Sequence, residues 1–521
     1  MISSTAWVRR GLPAEYPAKY QINDEEMERI TGMAKMEMDI ALDEMHDAAK
    51  EDAESEDDDN DMDTDDAETE DAKLTETDDD LKEYNMEDYD KEESHVDAQS
   101  MGIFGNFKSL QYYGPEDEDP YITLKDLKEE EEEEHKQLRI LPTDNMVLVA
   151  KTKDEVSQVE VMVYDNNPDA GGFYVHHDFL LPSFPLCLEP VSFSVESRFK
   201  VEGDSGTGNN FVAVSTFEPE IEIWNLDVVD SAFPDAILGG DSDPKSKLME
   251  KKKTKLLSHG KNPNRHTDSV LSLSSNIHHR NFLASGSADE TIKIWDLKTL
   301  AAVSSLDKIH KNKICAVQWS PHGQNDTVLL SGSFDKNVCV TDVRSSDPSK
   351  DKIKVSIGED IESIQWDLQS EYHFYVGDES GKVGYYDVRQ PTKSIWSLQA
   401  HDAAPVSVFA ASVHIPGLFA TGSSDRKIKL WKIPSGGEPS MILSRDLDVG
   451  KVFSATFGPD PEVGGTLAVG GSNGLVKLWD TATNKSVRAA FGMTEELHGP
   501  SDLIINDPAS DGEEDDDDVN W

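Results

Sequence analysis

The chain has 521 residues, of which 103 are acidic and 49 basic, so that its net charge at neutral pH is −54. Its three cysteines lack the paired spacing of a zinc site or a disulfide framework, and no apolar run approaches the roughly 18 residues of a membrane span. The sequence also has no phosphate-binding glycine loop, nucleophile elbow or isolated carboxylate pair. We therefore expect a non-enzymatic protein without catalytic, metal-binding or cofactor-binding residues, which binds neither a membrane nor a small-molecule substrate.

The first 140 residues are predicted to form an acidic, largely disordered arm. They hold 46 acidic and 14 basic residues, and such a sequence buries too little apolar surface to offset the entropy of ordering. Within the arm, residues 23–46 predict an amphipathic helix with Asn23 as its cap. Its apolar stripe follows three- and four-residue steps through Met27, Ile30, Ala34, Met38, Ala41 and Met45. The stripe suits either a groove on a partner or the chain's own folded domain.

Three hydroxyl side chains in acidic surroundings are predicted phosphorylation sites. Ser55, Thr77 and Ser510 each have a carboxylate at the third following position, a spacing that resembles the choice of acid-directed kinases. Each phosphate would add about −1.5 to −2 charges at neutral pH, which deepens an existing negative field.

A short phrase recurs through the second half of the chain. Its copies are ASGSADETIKIWD at 284–296, LSGSFDKNVCVTD at 330–342, ATGSSDRKIKLW at 420–431 and VGGSNGLVKLWD at 469–480. Each copy predicts a strand, a tight turn on Asp or Asn, and a second strand that ends near a Trp-Asp pair.

The spacing of the phrase defines the architecture. Its tryptophan position falls at 295, 341, 386, 431 and 479, in steps of 46, 45, 45 and 48 residues. This period is typical of the four-stranded blades of WD40 propellers, and similar strand endings at Tyr164 and Trp224 complete the set. The sequence predicts an all-β, seven-bladed WD40 β-propeller with acidic disordered arms at both ends.

Histidines recur with the same period. In three repeats a histidine precedes the aspartate of the turn by 23 to 25 residues, which predicts a structural lock within each blade formed by His266, Asp289, Trp295, His310, Asp335, His401, Asp425 and Trp431. The lock should be weaker where Thr341 replaces the tryptophan and where Ser380 occupies the turn. Two His-His pairs, 176–177 and 278–279, do not predict a metal site, because neighbours on a strand point to opposite faces.

The propeller is predicted to span residues 141–494, and residues 495–521 form an acidic disordered tail. A lysine-rich insertion between blades occupies 228–265. Its basic cluster is a candidate nuclear import signal or RNA contact made by Lys251, Lys252, Lys253 and Lys255. The alternative is a solvated loop.

Four segments outside the repeats are distinctive: 6–11 (AWVRRG), 83–90 (EYNMEDYD), 119–126 (DPYITLKD) and 173–181 (FYVHHDFLL). In these segments the chain resembles the periodic tryptophan protein 1 family of WD40 proteins. The resemblance implies a scaffold of the nucleus and nucleolus in ribosome biogenesis, with roles in pre-rRNA processing, large-subunit assembly and ribosomal-DNA chromatin association. It implies pre-ribosomal proteins and RNA-containing particles as partners, and no catalytic residue.

Two other functions remain open. The acidic arms would suit a histone-binding chromatin or transcription factor, since long carboxylate runs attract basic proteins. A ubiquitin-ligase substrate receptor is the weaker alternative, because the sequences at 342–344 and 387–389 resemble the Trp-Asp-x-Arg ending of such receptors but lack its tryptophan.

Overall fold

The computed structural model describes residues 1–20, 133, 136–165, 172–195, 209–240, 262–345, 347–434, 437–493 and 502–506. The chain divides into two compact units, one of 1–20 with 134–521 and one of 21–133. The first unit contains the folded domain, and the second lies almost entirely outside the described residues.

The described residues form seven four-stranded antiparallel sheets, which are the blades of a propeller and confirm the predicted fold. Two short strands, β2 (Ala18–Lys19) and β9 (Val228–Val229), form a parallel pair beside them. Blades 1 and 2 contain β1 (Ile2–Val8), β3 (Asn145–Lys153), β4 (Val156–Tyr164) and β5 (Phe173–Leu181), then β6 (Pro185–Val191), β7 (Phe211–Thr216), β8 (Ile221–Asn225) and β10 (Ala236–Leu238).

Blades 3 to 5 repeat the arrangement with strands of four to six residues. They contain β11 (Val270–Ser275), β12 (Phe282–Ser287), β13 (Ile292–Asp296) and β14 (Ala301–Leu306), then β15 (Ile314–Trp319), β16 (Val328–Ser333), β17 (Asn337–Asp342) and β18 (Ile353–Ser356), then β19 (Ile361–Trp366), β20 (His373–Asp378), β21 (Lys382–Asp387) and β22 (Ser394–Gln399).

Blades 6 and 7 complete the ring, and two short helices lie in connections between third and fourth strands. The strands are β23 (Val408–Ala411), β24 (Leu418–Gly422), β25 (Lys427–Lys432) and β26 (Ser440–Asp446), then β27 (Val452–Phe457), β28 (Thr466–Gly471), β29 (Val476–Asp480) and β30 (Ile504–Asn506). The helices are α1 (Pro348–Asp351) and α2 (Lys485–Phe491).

The first strands of successive blades pack side by side, so they line the central channel. Each blade then runs outward strand by strand in alternating directions, which gives the propeller two distinct ends. We call the end with the turns between second and third strands the turn face; it also carries the segments that lead from one blade into the next. The opposite end is the loop face.

The ring closes through a strand that composition assigned to the acidic arm. β1 is the inner strand of blade 1, and it contacts blade 7 through Thr5 N, which donates to Ser454 Oγ at 2.9 Å, and Trp7 Nε1, which donates to Thr456 O at 3.0 Å. β30 likewise forms the outer strand of blade 7, inside the predicted tail. The predicted boundaries at 140 and 494 are therefore corrected, because composition averaged over the whole of each acidic arm hides β1 in one and β30 in the other.

The predicted insertion at 228–265 is also shorter in the structure. β10 lies within it and pairs with β8 as the outer strand of blade 2. Residues 241–261, which include the basic cluster at 251–255, lie outside the described residues. The flanking Gly239 and Arg265 are close together, since a Cβ on Gly239 would lie 3.4 Å from that of Arg265.

Candidate functional site

The lock of blade 3 joins its third strand to the turn face through a hydroxyl group. His266 Nδ1 lies 2.9 Å from Asp289 Oδ2, and its Nε2 lies 2.7 Å from Ser285 Oγ. Trp295 Nε1 donates to the same hydroxyl at 2.8 Å. The structure thus brings together the three residues that spacing predicted, and Ser285 links them.

Burial determines which atoms in this network donate hydrogen bonds and which accept them. It lowers the pKa of His266, so the ring is neutral at pH 7, accepts from the Ser285 hydroxyl and donates Nδ1–H to Asp289. Burial alone would raise the pKa of Asp289, but the hydrogen bond from His266, the attraction to His266 when that ring is protonated at low pH, and the bonds from Thr291 and Thr267 hold the pKa of Asp289 well below its usual range. The bonds among Asp289, His266 and Ser285 have the connectivity of a nucleophilic triad, but Ser285 is fully buried and its hydroxyl also accepts from Trp295, so here the set joins strands of one blade.

The other two predicted locks share this geometry in blades 4 and 6. In blade 6, His401 lies 2.8 Å from Asp425 and 3.0 Å from Thr421, which also accepts from Trp431. In blade 4, His310 lies 3.2 Å from Asp335 and 2.8 Å from Ser331.

Blade 4 lacks the tryptophan of the network. Thr341 stands at its position, and the buried Thr341 Oγ1 has no hydrogen-bond partner among the residues that the structure describes. The sequence predicted a weaker lock here, and the structure shows which contact is lost.

In three blades that lack a lock histidine, a carboxylate accepts the hydrogen bond instead. Trp224 Nε1 donates to Glu222 at 3.0 Å in blade 2, and Trp479 Nε1 donates to Asp502 at 2.9 Å in blade 7. In blade 5, Asp378 accepts from the Ser380 hydroxyl at 2.8 Å. Spacing could not reveal Asp502, because the connection between β29 and β30 that carries it is longer than its counterparts in the other blades.

A second periodic histidine set lies on the loop face, and sequence reasoning missed it. Each of three histidines bonds through Nε2 to a backbone carbonyl of the next blade. The pairs are His278 with Pro321 (3.1 Å), His322 with Asp367 (2.8 Å) and His414 with Pro459 (2.9 Å). Their spacing of one and two blade periods was the available signal. His278 therefore lies in a loop, and the strand argument made for it is wrong.

Polar side chains of the inner strands also join neighbouring blades. Ser272 Oγ accepts from Val317 N at 3.0 Å, and Gln318 Oε1 accepts from Trp366 N at 2.7 Å. In blade 2, Glu189 Oε1 accepts from Ser275 N at 2.8 Å and from its hydroxyl at 2.7 Å. Burial raises the pKa of Glu189 to about 7.

The segment FYVHHDFLL forms β5, the outer strand of blade 1. His176 and His177 lie 2.8 Å apart through their Nδ1 atoms, so the expectation that they point to opposite faces is wrong; the register of β4 and β5 shifts between Val161 and Met162 at this point. His176 Nε2 lies 3.0 Å from Leu138 O. Burial lowers the pKa of His177 to about 3. Among the described residues there is no cluster of three or more potential metal ligands, and none of their helices is long and apolar enough to cross a membrane.

The two arginine motifs lie on the loop face of adjacent blades. Arg344 and Arg389 are exposed by 67% and 58%, and each bonds the aspartate two residues before it. Arg389 also lies 4.7 Å over the ring of Tyr372. Thr341 and Tyr386 occupy the positions where the receptor motif has tryptophan.

Several predicted sites fall outside the residues that the structure describes. These are the helix at 23–46, the motifs at 83–90 and 119–126, the phosphorylation sites Ser55, Thr77 and Ser510, and the basic cluster of Lys251, Lys252, Lys253 and Lys255.

Comparison with known proteins also identifies WD40 repeats in this chain. The family model described as "WD domain, G-beta repeat" matches residues 259–296, 303–342 and 392–432. Together with the seven sheets, it defines the chain as a WD40-repeat propeller protein. Periodic tryptophan protein 1 of Saccharomyces cerevisiae is 40% identical over 533 residues, which cover 94% of this chain and 90% of that protein. The chain therefore belongs to the periodic tryptophan protein 1 family, which confirms the resemblance.

Two further relatives extend the comparison. A periodic tryptophan protein 1 homolog of Drosophila melanogaster is 28% identical over 496 residues, which cover 95% of this chain and 97% of that protein. The ribosome biogenesis protein WDR12 homolog of Culex quinquefasciatus is 27% identical over 242 residues, which cover 44% of this chain and 50% of that protein.

Proposed function

We propose that the protein is a non-enzymatic WD40 platform in ribosome biogenesis. Its finer roles are pre-rRNA processing, large-subunit assembly and association with ribosomal-DNA chromatin, in the nucleus and nucleolus. The observation that carries the proposal is the 40% identity with the yeast family member along 94% of the chain, supported by similarity to a relative named as a ribosome biogenesis protein.

The geometry fits a platform. The three histidine–aspartate pairs form hydrogen-bonded locks within blades, and the loop-face histidines bond neighbouring blades. These polar groups hold the ring together and leave two faces of turns and loops for partners. The proposed partners are pre-ribosomal proteins and RNA-containing particles, and phosphorylation of the acidic arms would adjust their charge.

Affinity purification from nuclear extract tests the proposal. Full-length protein should recover pre-ribosomal proteins and precursor RNA of the large subunit, and a parallel RNase-treated sample should show which proteins require RNA. Recovery of neither protein nor RNA of these particles would overturn the platform role.

Histone binding is the second candidate function, and the charge distribution favours it. Residues 1–140 and 495–521 hold 43 of the 54 net negative charges, and such arms attract basic proteins over long range. Recovery of core histones without precursor RNA in the same purification would favour this candidate. A ubiquitin-ligase receptor would require the exposed Arg344 and Arg389 to bind an adaptor without the tryptophan of the motif.

A further inference from the structure

Four exposed lysines converge on the turn face of blade 4. Lys308, Lys311 and Lys313 lie in the segment that leads into the blade, and Lys336 lies in the turn between its second and third strands. Two hydrogen bonds join the segment to the turn. Lys311 N donates to the side-chain atom Asp335 Oδ2 at 3.1 Å, and Phe334 N donates to Lys313 O at 3.1 Å. We call these four residues the blade-4 lysine cluster.

Three of the four lysines in the cluster have no ion-pair partner among the described residues. Within the described part of the chain, Lys308, Lys311 and Lys313 make no ion pair, and Lys336 reaches Glu359 and Asp360 only at 3.8 and 3.9 Å. The carboxylate at the centre of the cluster, Asp335, accepts from His310 and from backbone N–H groups. Lys336 has φ of 66°, and the exposed Arg426 holds the same left-handed position in blade 6, with φ of 68°.

The fold does not require lysine at these positions. The bond from the turn to Lys313 O recurs in four other blades, where the accepting carbonyl belongs to Phe184, Ser269, Asp360 and Lys451. The same backbone geometry therefore accepts aromatic, neutral, acidic and basic residues. Three lysines within six positions, on a propeller body of net charge about −11, are a property of this blade rather than of the repeat.

We infer that the blade-4 lysine cluster binds the phosphate backbone of single-stranded RNA. Exposed lysines act as point charges toward phosphates, and their neutralisation releases counterions. Phe334, half-buried in the same turn, offers a ring beside them for a base to stack on.

The inference deepens the proposed function, since it rests on RNA-containing particles as partners. It adds a site in the described propeller, formed by residues other than those of the basic cluster at 251–255. Because the chain as a whole repels polyanions, specific RNA affinity must come from a local cluster of this kind.

Salt-dependent RNA binding by the full chain tests the assignment. The probe is a fluorescein-labelled single-stranded RNA of about 20 nucleotides, titrated at several salt concentrations. The test variant carries Lys308→Gln, Lys311→Gln and Lys313→Gln. The matched control carries Lys298→Gln, Lys382→Gln and Lys427→Gln, which removes the same charge from exposed lysines scattered over other blades.

The control should bind as the unsubstituted protein does, whereas the test variant should lose about tenfold in affinity. The slope of log K against log salt should fall by about 2 in magnitude, since each lost single-strand phosphate contact contributes roughly 0.7. Unchanged melting temperatures would show that both variants are folded.

Two results would overturn the assignment. Equal affinities and slopes for the test variant and the control would show that the cluster does not contact RNA. Displacement of the RNA by an equimolar glutamate-rich peptide would make the cluster a site for acidic peptides. Both outcomes leave the platform role standing, because co-purification with large-subunit precursors measures it separately.

Discussion

Asp289 receives hydrogen bonds from His266, from Thr267 N at 3.1 Å and from Thr291 N at 2.9 Å. Its replacement by alanine leaves these donors without an acceptor in a buried network. We expect Asp289→Ala to lower the free energy of unfolding by about 1–3 kcal/mol, measured by denaturant titration. Ser380→Ala is the control, because that half-buried hydroxyl bonds only within its own turn, and equal losses in the two variants would contradict the lock.

The inner-strand carboxylate Glu189 predicts a pH-dependent stability. Its pKa of about 7 in the folded protein exceeds the unfolded value of about 4.3. Its contribution is therefore fully present below about pH 4.3 and is lost as pH rises through 7. Glu189→Gln keeps the acceptor oxygen for Ser275 but cannot ionise, so its melting temperature relative to the unsubstituted protein should increase between pH 5 and 8.

The buried histidines give the opposite trend in both proteins. Burial lowers the pKa values of His266 and His401, so the unfolded chain binds more protons below about pH 6.5 and stability falls as pH falls. Comparing Glu189→Gln with the unsubstituted protein cancels this common term. A difference in melting temperature that does not change with pH would show that Glu189 remains ionised.

The basic cluster outside the described residues predicts nuclear import. Replacement of Lys251, Lys252, Lys253 and Lys255 by glutamine should give a folded protein that stays in the cytoplasm, because the insertion loses most of its positive charge. Fluorescence microscopy of a tagged protein measures the distribution. The Lys298→Gln, Lys382→Gln and Lys427→Gln variant is the control, and nuclear localisation of both would assign import to a partner or another signal.

Among the strands, β1 should contribute to stability by closing the ring between blades 1 and 7. Trp7 is 7% exposed, packs in the cluster that joins blades 1 and 7, and donates to Thr456 O. We expect Trp7→Ala to cost about 3–5 kcal/mol of unfolding free energy, and Arg9→Ala, at an exposed site just beyond the strand, to cost little. A small loss for Trp7→Ala would mean that the ring closes without this strand.

The strands that sequence predicted are those that repeat. Trp295, Trp431 and Trp479 end buried third strands at a fixed period, so local pattern and fold agree there. β1 is separated from β3 by more than 130 residues, and β30 follows a connection that contains α2. Their partners are distant in sequence, and composition averaged over acidic neighbours hides them.

The residues of the site also divide into those that repeat with the blades and those that do not. A spacing of 23 to 25 residues before the turn aspartate predicted the locks around His266, His310 and His401. The loop-face histidines bond the next blade, so their partners differ in residue type and only the period identifies them. The blade-4 lysine cluster has no period at all, because its chemistry belongs to one blade.

At the scale of the whole molecule, the acidic arms should supply most of the low-specificity affinity for basic partners. A variant that lacks 24–130 and 507–521 keeps β1 and β30, whereas a fragment of 141–494 would lose both strands. At about 0.05 M salt the variant should bind a core histone mixture at least tenfold more weakly than the full chain. The difference should shrink at about 0.5 M salt, as the Debye length falls from more than 10 Å to a few Å.

The control for this titration replaces the same segments with glycine–serine sequence of equal length. It separates the charge of the arms from their volume. Equal, salt-insensitive binding by the variant and the full chain would place histone recognition on the propeller.

The closure of the ring also determines how long β1 remains without its blade-7 partner during synthesis. Thr5 and Ser454 are 449 residues apart, so at about 5–20 residues per second the ribosome needs roughly 20–90 s to make the second after the first. During that interval the blade-7 side of β1 has no partner, and an unpaired apolar strand invites aggregation. Charged residues near such strands oppose aggregation in nascent chains. The order of translation therefore places two arginines, Arg9 and Arg10, directly after the strand that waits longest for its neighbour, and the acidic arm follows them.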